Sequence, residues 1–304
     1  MPIPNTAPPA PLDALSFAHK LQRLPDANKA QSGKVLFIGG SLGMAGALLL
    51  SAKAALHSGA GYTMLSMLDG KSAHASTLQP ELMIQNGEVS DLSSGPMDEL
   101  KRIRPNVIAI GPGLGTSPLA KAWLTAVLAD HATVFSLSAI ILDADALNLI
   151  AADDHLGAAL RQSTVPCILT PHPGEAARLL HSTAGDVQEN RLSSLHKLIE
   201  CSQHIVVLKG QHTLLGSPTQ EPRICQAGNP SLAVGGSGDV LTGLIASLAA
   251  QGITKDPTPW EAACLGVQVH ALAADRLLAK MGGPIGITPS ELILEIRQLL
   301  NNLL

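Results

Sequence analysis

The stretch from Ala233 to Leu248, "AVGGSGDVLTGLIASL", sets three glycines and an aspartate directly before an apolar helical face. Gly235, Gly236 and Gly238 permit backbone conformations in which successive N–H groups point into one concavity. A helix from Val240 adds the positive end of its dipole to the same hollow. Such a hollow holds phosphate oxygens. Asp239 stands at its rim, where a carboxylate is a poor phosphate ligand but can accept the proton of a hydroxyl aimed at the same phosphorus. General-base assistance is worth about 10²–10⁴ in rate, while backbone donors neutralise charge on the phosphoryl oxygens. The competing role for Asp239 is a plain N-cap. The glycine run before it favours chemistry.

Stepping outward, the chain alternates apolar strand-like runs with segments of helical period. "KVLFIGG" precedes helical "AGALLLSAKAALHSGAG", then come "YTMLSML", "NVIAIGPGLG", "AIILDADAL", "VPCILTPHPGEAARLL" and "HIVVLKG". Strands bounded by crossover helices predict a mostly parallel central sheet with helices on both faces. From Gly235 the chain reads as helices, with Val240, Leu241, Leu244, Ile245 and Leu248 on one face and further helical segments from Trp260 and from Pro289.

In open α/β sheets ligands bind beyond the carboxyl ends of the strands. There the sequence places "GGSLGMAGA", "GPGLG", "DADALN", "TPHPGE" and "KGQHT". The spacing Gly40, Gly43, Gly46 departs from the dinucleotide fingerprint G-x-G-x-x-G, and no Gly-Lys-Ser/Thr follows a glycine-rich turn, so neither a nicotinamide-binding Rossmann unit nor a P-loop is expected. Gly113 and Gly115, flanking Leu114, serve either a tight turn or close ligand approach. His172 is either a loop hydrogen-bonding residue or a substrate contact, and no second histidine stands at metal-ligand spacing to it. Asp143 and Asp145 read as helix caps first and ligand contacts second. Glu175, in a helix's first turn, reads as a cap. Lys209 alone could be a solvated strand end.

The 304 residues are 46% hydrophobic and 14% charged, with a formal net charge of −4. The lean charge is as compatible with a homo-oligomer as with one large core. No lysine- or arginine-rich run marks a nucleic-acid partner, and no uninterrupted apolar run approaches the roughly 18 residues of a membrane span. Cys167, Cys201, Cys225 and Cys264 form no C-x-x-C pair and read as reduced thiols. The opening "MPIPNTAPPAPLDAL" lacks the features of a signal peptide, so a cytoplasmic location is expected. Residues 1–26 are expected to be a flexible or loosely docked proline-rich tail, and residues 27–304 a single α/β domain.

"GGSGDVLTG" resembles the glycine-rich aspartate signature of ribokinase-like small-molecule kinases. The series "GKVLFIGGSLGMAGA", "SGAGYTMLS", "IGPGLG", "ILDADALN", "ILTPHPGEAARLL", "VVLKGQHTLL" and "GNPSLAVGGSGDVLTGLIASLAAQG" is more narrowly similar to the ADP/ATP-dependent NAD(P)H-hydrate dehydratases, from about Ala27 to about Ala279. The resemblance implies a ribokinase-like three-layer sandwich. It implies dehydration of the S form of NADH hydrate or NADPH hydrate at the expense of ADP (or ATP) with Mg2+. By resemblance Asp239 is the catalytic base and contacts the hydrate together with Ala45, Gly113, Gly115 and His172. Lys209, Gly210, Gln211, His212 and Thr213 line the adenine nucleotide with Asn229, Gly235, Gly236, Ser237 and Gly238. No direct protein ligand for the metal is assigned. The resemblance also implies a homotetramer and cooperation with a separate NAD(P)H-hydrate epimerase. Ser237 and Val234 each stand where Thr is commoner, Ser231 where Gly is frequent, and Met44 where Tyr is frequent. The alternative activity on the same fold is phosphorylation of a small alcohol such as a vitamin precursor, because a kinase needs the same base and phosphate cradle.

Overall fold

The computed structural model describes residues 8–72, 79–129, 136–255 and 257–304. The strands are β1 (Ala10–Pro11), β2 (Lys34–Gly39), β3 (Tyr62–Met67), β4 (Met83–Asn86), β5 (Val107–Ile110), β6 (Ala139–Leu142), β7 (Cys167–Leu169), β8 (Ile205–Leu208), β9 (Leu214–Ser217) and β10 (Gln220–Ile224). Helices α1 (Ala45–His57), α2 (Gly95–Ile103), α3 (Pro118–Leu128), α4 (Asp145–Ala152) and α5 (Asp154–Gln162) occupy the first half. The second half holds α6 (Pro173–Leu179), α7 (Ala184–Glu189), α8 (Arg191–Ser202), α9 (Ser237–Lys255), α10 (Pro259–Met281) and α11 (Pro289–Leu303). One sheet runs in the order β1-β10-β9-β8-β7-β6-β5-β2-β3-β4. Strands β8 through β4 in that order are parallel, and β9 is antiparallel to both its neighbours.

The strand pleat divides the core in two. In β2, Val35 and Phe37 point to a cluster shared with α1, α9, α10 and α11, while Leu36 and Ile38 point to a cluster shared with α2 to α8. Both clusters are fully packed along the central strands, so β5, β6, β7 and β8 read as unbroken buried runs. This is the expected sheet with helices on both faces. All five apolar positions anticipated on the buried face of α9, from Val240 to Leu248, are buried. Helix α10 has the length and hydropathy of a membrane span, but 67% of its apolar window is buried within the protein.

The N-terminal segment packs on the core from Ala10 onward. Residues 1–7 lie outside the described residues, but Ala10 and Pro11 pair in parallel with Arg223 and Ile224, and a 3-10 helix at Leu15–Leu21 buries Ala18 and Leu21 in the α1/α9/α10 cluster, alongside Ala14 just before it. The amide of Ala14 donates to Gln268 Oε1, and Lys20 pairs with Glu261 at 2.8 Å, both partners on α10. The sequence left a flexible and a loosely docked segment both open, and Pro11 is accommodated because β1 is an edge strand, where proline is tolerated.

Chain order reverses at the centre of the sheet. After β2 the chain moves outward to β3 and β4, then crosses back to β5 on the other side of β2. The topological switch point therefore falls at the carboxyl ends of β2 and β5, the place where parallel sheets bind ligands. The loops after β5, β6, β7 and β8 lie in a row along this edge, and α9 closes it from the α1 side.

Candidate active site

Helix α9 begins on a loop secured from α10. The Asn229 side chain donates to Asp275 Oδ1 at 2.8 Å and accepts from the Ser231 amide at 3.0 Å. Gly236 adopts φ 96°, a region that only glycine enters freely, and turns the chain into the helix. Val240 makes the first intrahelical bond, to the Gly236 carbonyl at 3.0 Å. The amides of Gly238 and Asp239 have no partner among the described residues, as expected of the first turn of a helix. A Cβ built on Gly235, just before this turn, would meet nothing within 4 Å, so the space at that position is open.

Two neighbouring helices hold that first turn in place. Ser51 Oγ of α1 donates to the Asp239 carbonyl at 2.8 Å. His270 Nε2 of α10 donates to the Ser237 carbonyl at 3.0 Å. Burial drives the His270 imidazole down to about 4, with the Ser237 bond opposing and the Lys209 charge adding to the shift, so the ring is neutral at physiological pH.

Three charged groups from the ends of consecutive strands β6, β7 and β8, namely Asp143, Glu175 and Lys209, meet beside Asp239. Lys209 Nζ, after β8, donates to Asp143 Oδ1 at 2.8 Å, after β6. The other Asp143 oxygen accepts from Thr242 Oγ1 of α9 at 2.7 Å. Burial by itself would raise the Asp143 carboxyl, but the Lys209 charge and hydrogen bonds from Lys209, Thr242 and Thr170 hold it below the usual carboxylate range. Among the described residues the Asp239 carboxyl has no such direct partner. Burial first and the Asp143 and Glu175 charges next push its carboxyl up to about 7, against the pull of Lys209. A carboxyl tuned to neutrality is suited to proton transfer.

At the β7 loop, His172 caps α6. Its Nδ1 accepts from the Gly174 and Glu175 amides at 3.0 and 3.4 Å, and its Nε2 lies 3.2 Å from Glu175 Oε1. Glu175 returns the bond by accepting from the His172 amide at 2.8 Å, which closes a capping box. Burial raises the Glu175 carboxyl to about 7. The imidazole remains half-exposed on the rim.

The NAD(P)H-hydrate dehydratase family matches residues 35–298. An ADP-dependent (S)-NAD(P)H-hydrate dehydratase of Neisseria meningitidis is 36% identical over 295 residues, which is 95% of this chain and 93% of that protein. This chain belongs to the NAD(P)H-hydrate dehydratase family. The bifunctional NAD(P)H-hydrate repair enzyme Nnr of Coxiella burnetii is 38% identical over 282 residues, 92% of this chain and 53% of that protein. The chain thus spans about half the length of the bifunctional relatives it matches. The ADP/ATP-dependent NAD(P)H-hydrate dehydratase from Bacillus subtilis, co-crystallised with ATP/Mg2+, superposes with a TM-score of 0.81 at 24% identity, covering 98% of this chain and 100% of that one. The fold is the ribokinase-like one.

Among the residues anticipated for a dehydratase site, Asp239, Gly238 and Lys209 come together directly: a Cβ on Gly238 would lie 3.3 Å from Lys209 Nζ. The rest of "KGQHT" turns outward. Gly210, Gln211 and His212 are exposed between β8 and β9, and Thr213 Oγ1 donates back to the Gly210 carbonyl at 3.1 Å. The glycine loops after β2 and β5 are zipped to each other, with the Gly40 and Ser41 amides donating to the Pro112 and Gly113 carbonyls at 3.1 and 2.7 Å. At Gly113 a Cβ would come within 2.5 Å of the Met44 carbonyl oxygen, so its glycine is required by chain packing. Gly115 donates to Asp145 Oδ2 at 2.8 Å, and Ala45 begins α1 beside this pair of loops. The dehydratase-family motifs did not single out Thr242, Thr170 or His270, and Asp143 read as a cap. Thr242 had one signal available: it follows Asp239 by three residues, on the same helix face.

Proposed function

We propose that this chain is an ADP-dependent (S)-NAD(P)H-hydrate dehydratase. The observation that carries the reading is the Asp239 carboxyl, held near neutrality at the head of α9 beside unpaired amides, in a chain related over nearly its whole length to a protein of that activity. Asp239 accepts the proton of the ring hydroxyl as its oxygen attacks the β-phosphorus of ADP. The bond to the bridging oxygen breaks and AMP departs. The ring nitrogen lone pair then expels phosphate from the adjacent carbon, and loss of a proton from the next ring carbon restores NAD(P)H. The amides of Gly238 and Asp239 stabilise charge on the phosphoryl oxygens throughout the transfer.

Magnesium fits this site as a passenger on the nucleotide. Among the described residues no group of three or more His, Cys, Asp or Glu is placed to hold an ion, and both Asp143 oxygens are already bonded. Mg2+ on nucleotide phosphates usually keeps several waters and takes few protein ligands, and it would draw charge from the transferred group. An epimerase, fused or separate, would feed the S form to the site. A homotetramer is proposed on the family resemblance, and light scattering in solution tests it.

The reading is favoured over phosphorylation of a small alcohol by the names of the relatives, since the two reactions share the cradle and base. The test is to incubate the protein with hydrated NADH, Mg2+ and either ADP or ATP. Recovery of reduced-nicotinamide absorbance, with AMP and phosphate formed from ADP, is the expected result. No recovery with either nucleotide, or accumulation of a stable phosphorylated product, would overturn it.

A further inference from the structure

The Asp143 carboxylate is 2% exposed and has both oxygens taken, one by Lys209 and one by Thr242. It is walled off from any ligand. What it governs is the lysine. An ammonium on a four-carbon stem samples many positions unless something pins it, and here only one of its three donors is used on Asp143. The remaining two are free to face the turn of α9 against which the ammonium rests, 3.3 Å from where a Gly238 side chain would begin. Thr242 ties the same carboxylate to α9 one turn below Asp239. The base, the cation and the helix carrying the open amides are therefore registered to one another through a single buried carboxylate.

We propose that Asp143 is a positioning residue: it acts through Lys209, fixing the ammonium over the first turn of α9 as a resident cation that faces both Asp239 and the phosphoryl group being transferred. The inference rests on the dehydratase reading. With Asp143 neutral, the ammonium relaxes onto the carboxylates still available, Asp239 and Glu175, and quenches the base it now only flanks. The charged and titratable groups facing Asp239 are Asp143 from the β6 loop, Glu175 from α6 and Lys209 from β8. His172 and Arg178 lie behind Glu175, and the neutral His270 of α10 lies beyond Ser237. Helix α1 contributes the hydroxyl of Ser51 and no charge at that point.

This arrangement gives opposite signs for two substitutions. Lys209→Met removes a cation, so Asp239 holds its proton to higher pH. Asp143→Asn removes an anion and releases the cation towards Asp239, so the proton leaves at lower pH. The test uses the full chain with Asp143→Asn, Lys209→Met and Thr242→Val. It follows kcat and KM for hydrate across pH and the 13C carboxyl titration of Asp239, assigned against Asp239→Asn.

Asp143→Asn is expected to lower kcat by about tenfold or more with KM for hydrate changed less than about threefold, as befits a group acting on proton transfer rather than binding. The acidic limb and the Asp239 titration should move down in Asp143→Asn and up in Lys209→Met. Thr242→Val, which keeps every charge, should lower kcat less than Asp143→Asn does. Displacements of the same sign, no displacement, or wild-type kcat in Asp143→Asn would overturn the proposal. Should Asp143→Asn fail to fold, unchanged kcat in Thr242→Val or an unmoved Asp239 titration in Lys209→Met overturns it. A wild-type protein inert towards hydrate would instead sink the dehydratase reading, while the carboxyl titration, which needs no turnover, still decides the placement of the cation.

Discussion

At the scale of single residues, Asp239 does two things that pull against each other. Its raised proton affinity suits it to accept a proton, and the same environment disfavours the charged form in the folded state. Asp239→Asn is expected to reduce kcat by about 10²–10⁴ while nucleotide binding, measured calorimetrically, persists. The pH profile follows from the shift to about 7: the active form is the carboxylate, so kcat/KM should fall towards acid below about pH 7. The stability sign is the reverse. A carboxyl raised in the folded state binds its proton more tightly there than in the unfolded chain, so its contribution is fully present below the unfolded value and is lost as pH rises through about 7. Asp239→Asn should therefore gain melting temperature over the wild type, and the gain should be larger at pH 8 than at pH 5. Equal gains at the two pH values would contradict the burial of this carboxyl. Asp239 was legible in the sequence because glycines before an acid at a helix start form a local pattern. Asp143 was not, since an aspartate just after a strand looks the same whether it caps a helix or clamps a lysine 66 residues away.

At the scale of elements, the site depends on how closely α1 and α9 pack. A Cβ on Gly243 would come within 1.9 Å of the Ser51 carbonyl oxygen, so the two backbones touch where α1 also supplies the bond to the Asp239 carbonyl. Gly243→Ala must part the helices. Overpacking of this kind costs about 1–3 kcal/mol, to be read from urea unfolding, and kcat should fall with it as the Ser51 bond loosens. A Gly243→Ala protein with wild-type stability would show that the helices slide freely past each other. The α6 capping box makes a similar point about His172. Its Nδ1 is spent on the helix's own amides, so only the outer edge of the ring remains for a substrate. The motif "TPHPGE" showed a helix start. That Nδ1 takes the helix amides while Nε2 faces the Glu175 carboxyl was decided by the fold of the loop.

At the scale of the molecule, the segment between Ala10 and Leu21 belongs to the core that backs the site. It packs against α10, the helix that holds both Asp275 under the Asn229 loop and His270 under Ser237. Deleting residues 1–21 would remove the buried Leu21 and uncover the α10 surface beneath it. Full burial of one leucine is worth about 1.5–3 kcal/mol, so the truncated chain should lose at least ~2 kcal/mol in denaturant unfolding. Unchanged stability would mean the segment is only laid against the surface. The parallel core was readable because β2, β3, β5, β6, β7 and β8 are dense apolar runs. Strands β4, β9 and β10 escaped notice because they are short and half-polar, with burial patterns that alternate weakly or not at all.

The sequence by itself determined the layered α/β class, the row of chemistry-bearing loops and the acid at the head of α9, because each is written in neighbouring residues through periodicity, glycine content and capping. Only the tertiary structure decided that Lys209 turns inward to Asp143, that Gly113 answers to Met44 and that Ala10 and Pro11 join the sheet. Each of those contacts joins residues far apart in the chain, and which side chains meet there depends on how distant segments pack, a property no local pattern carries.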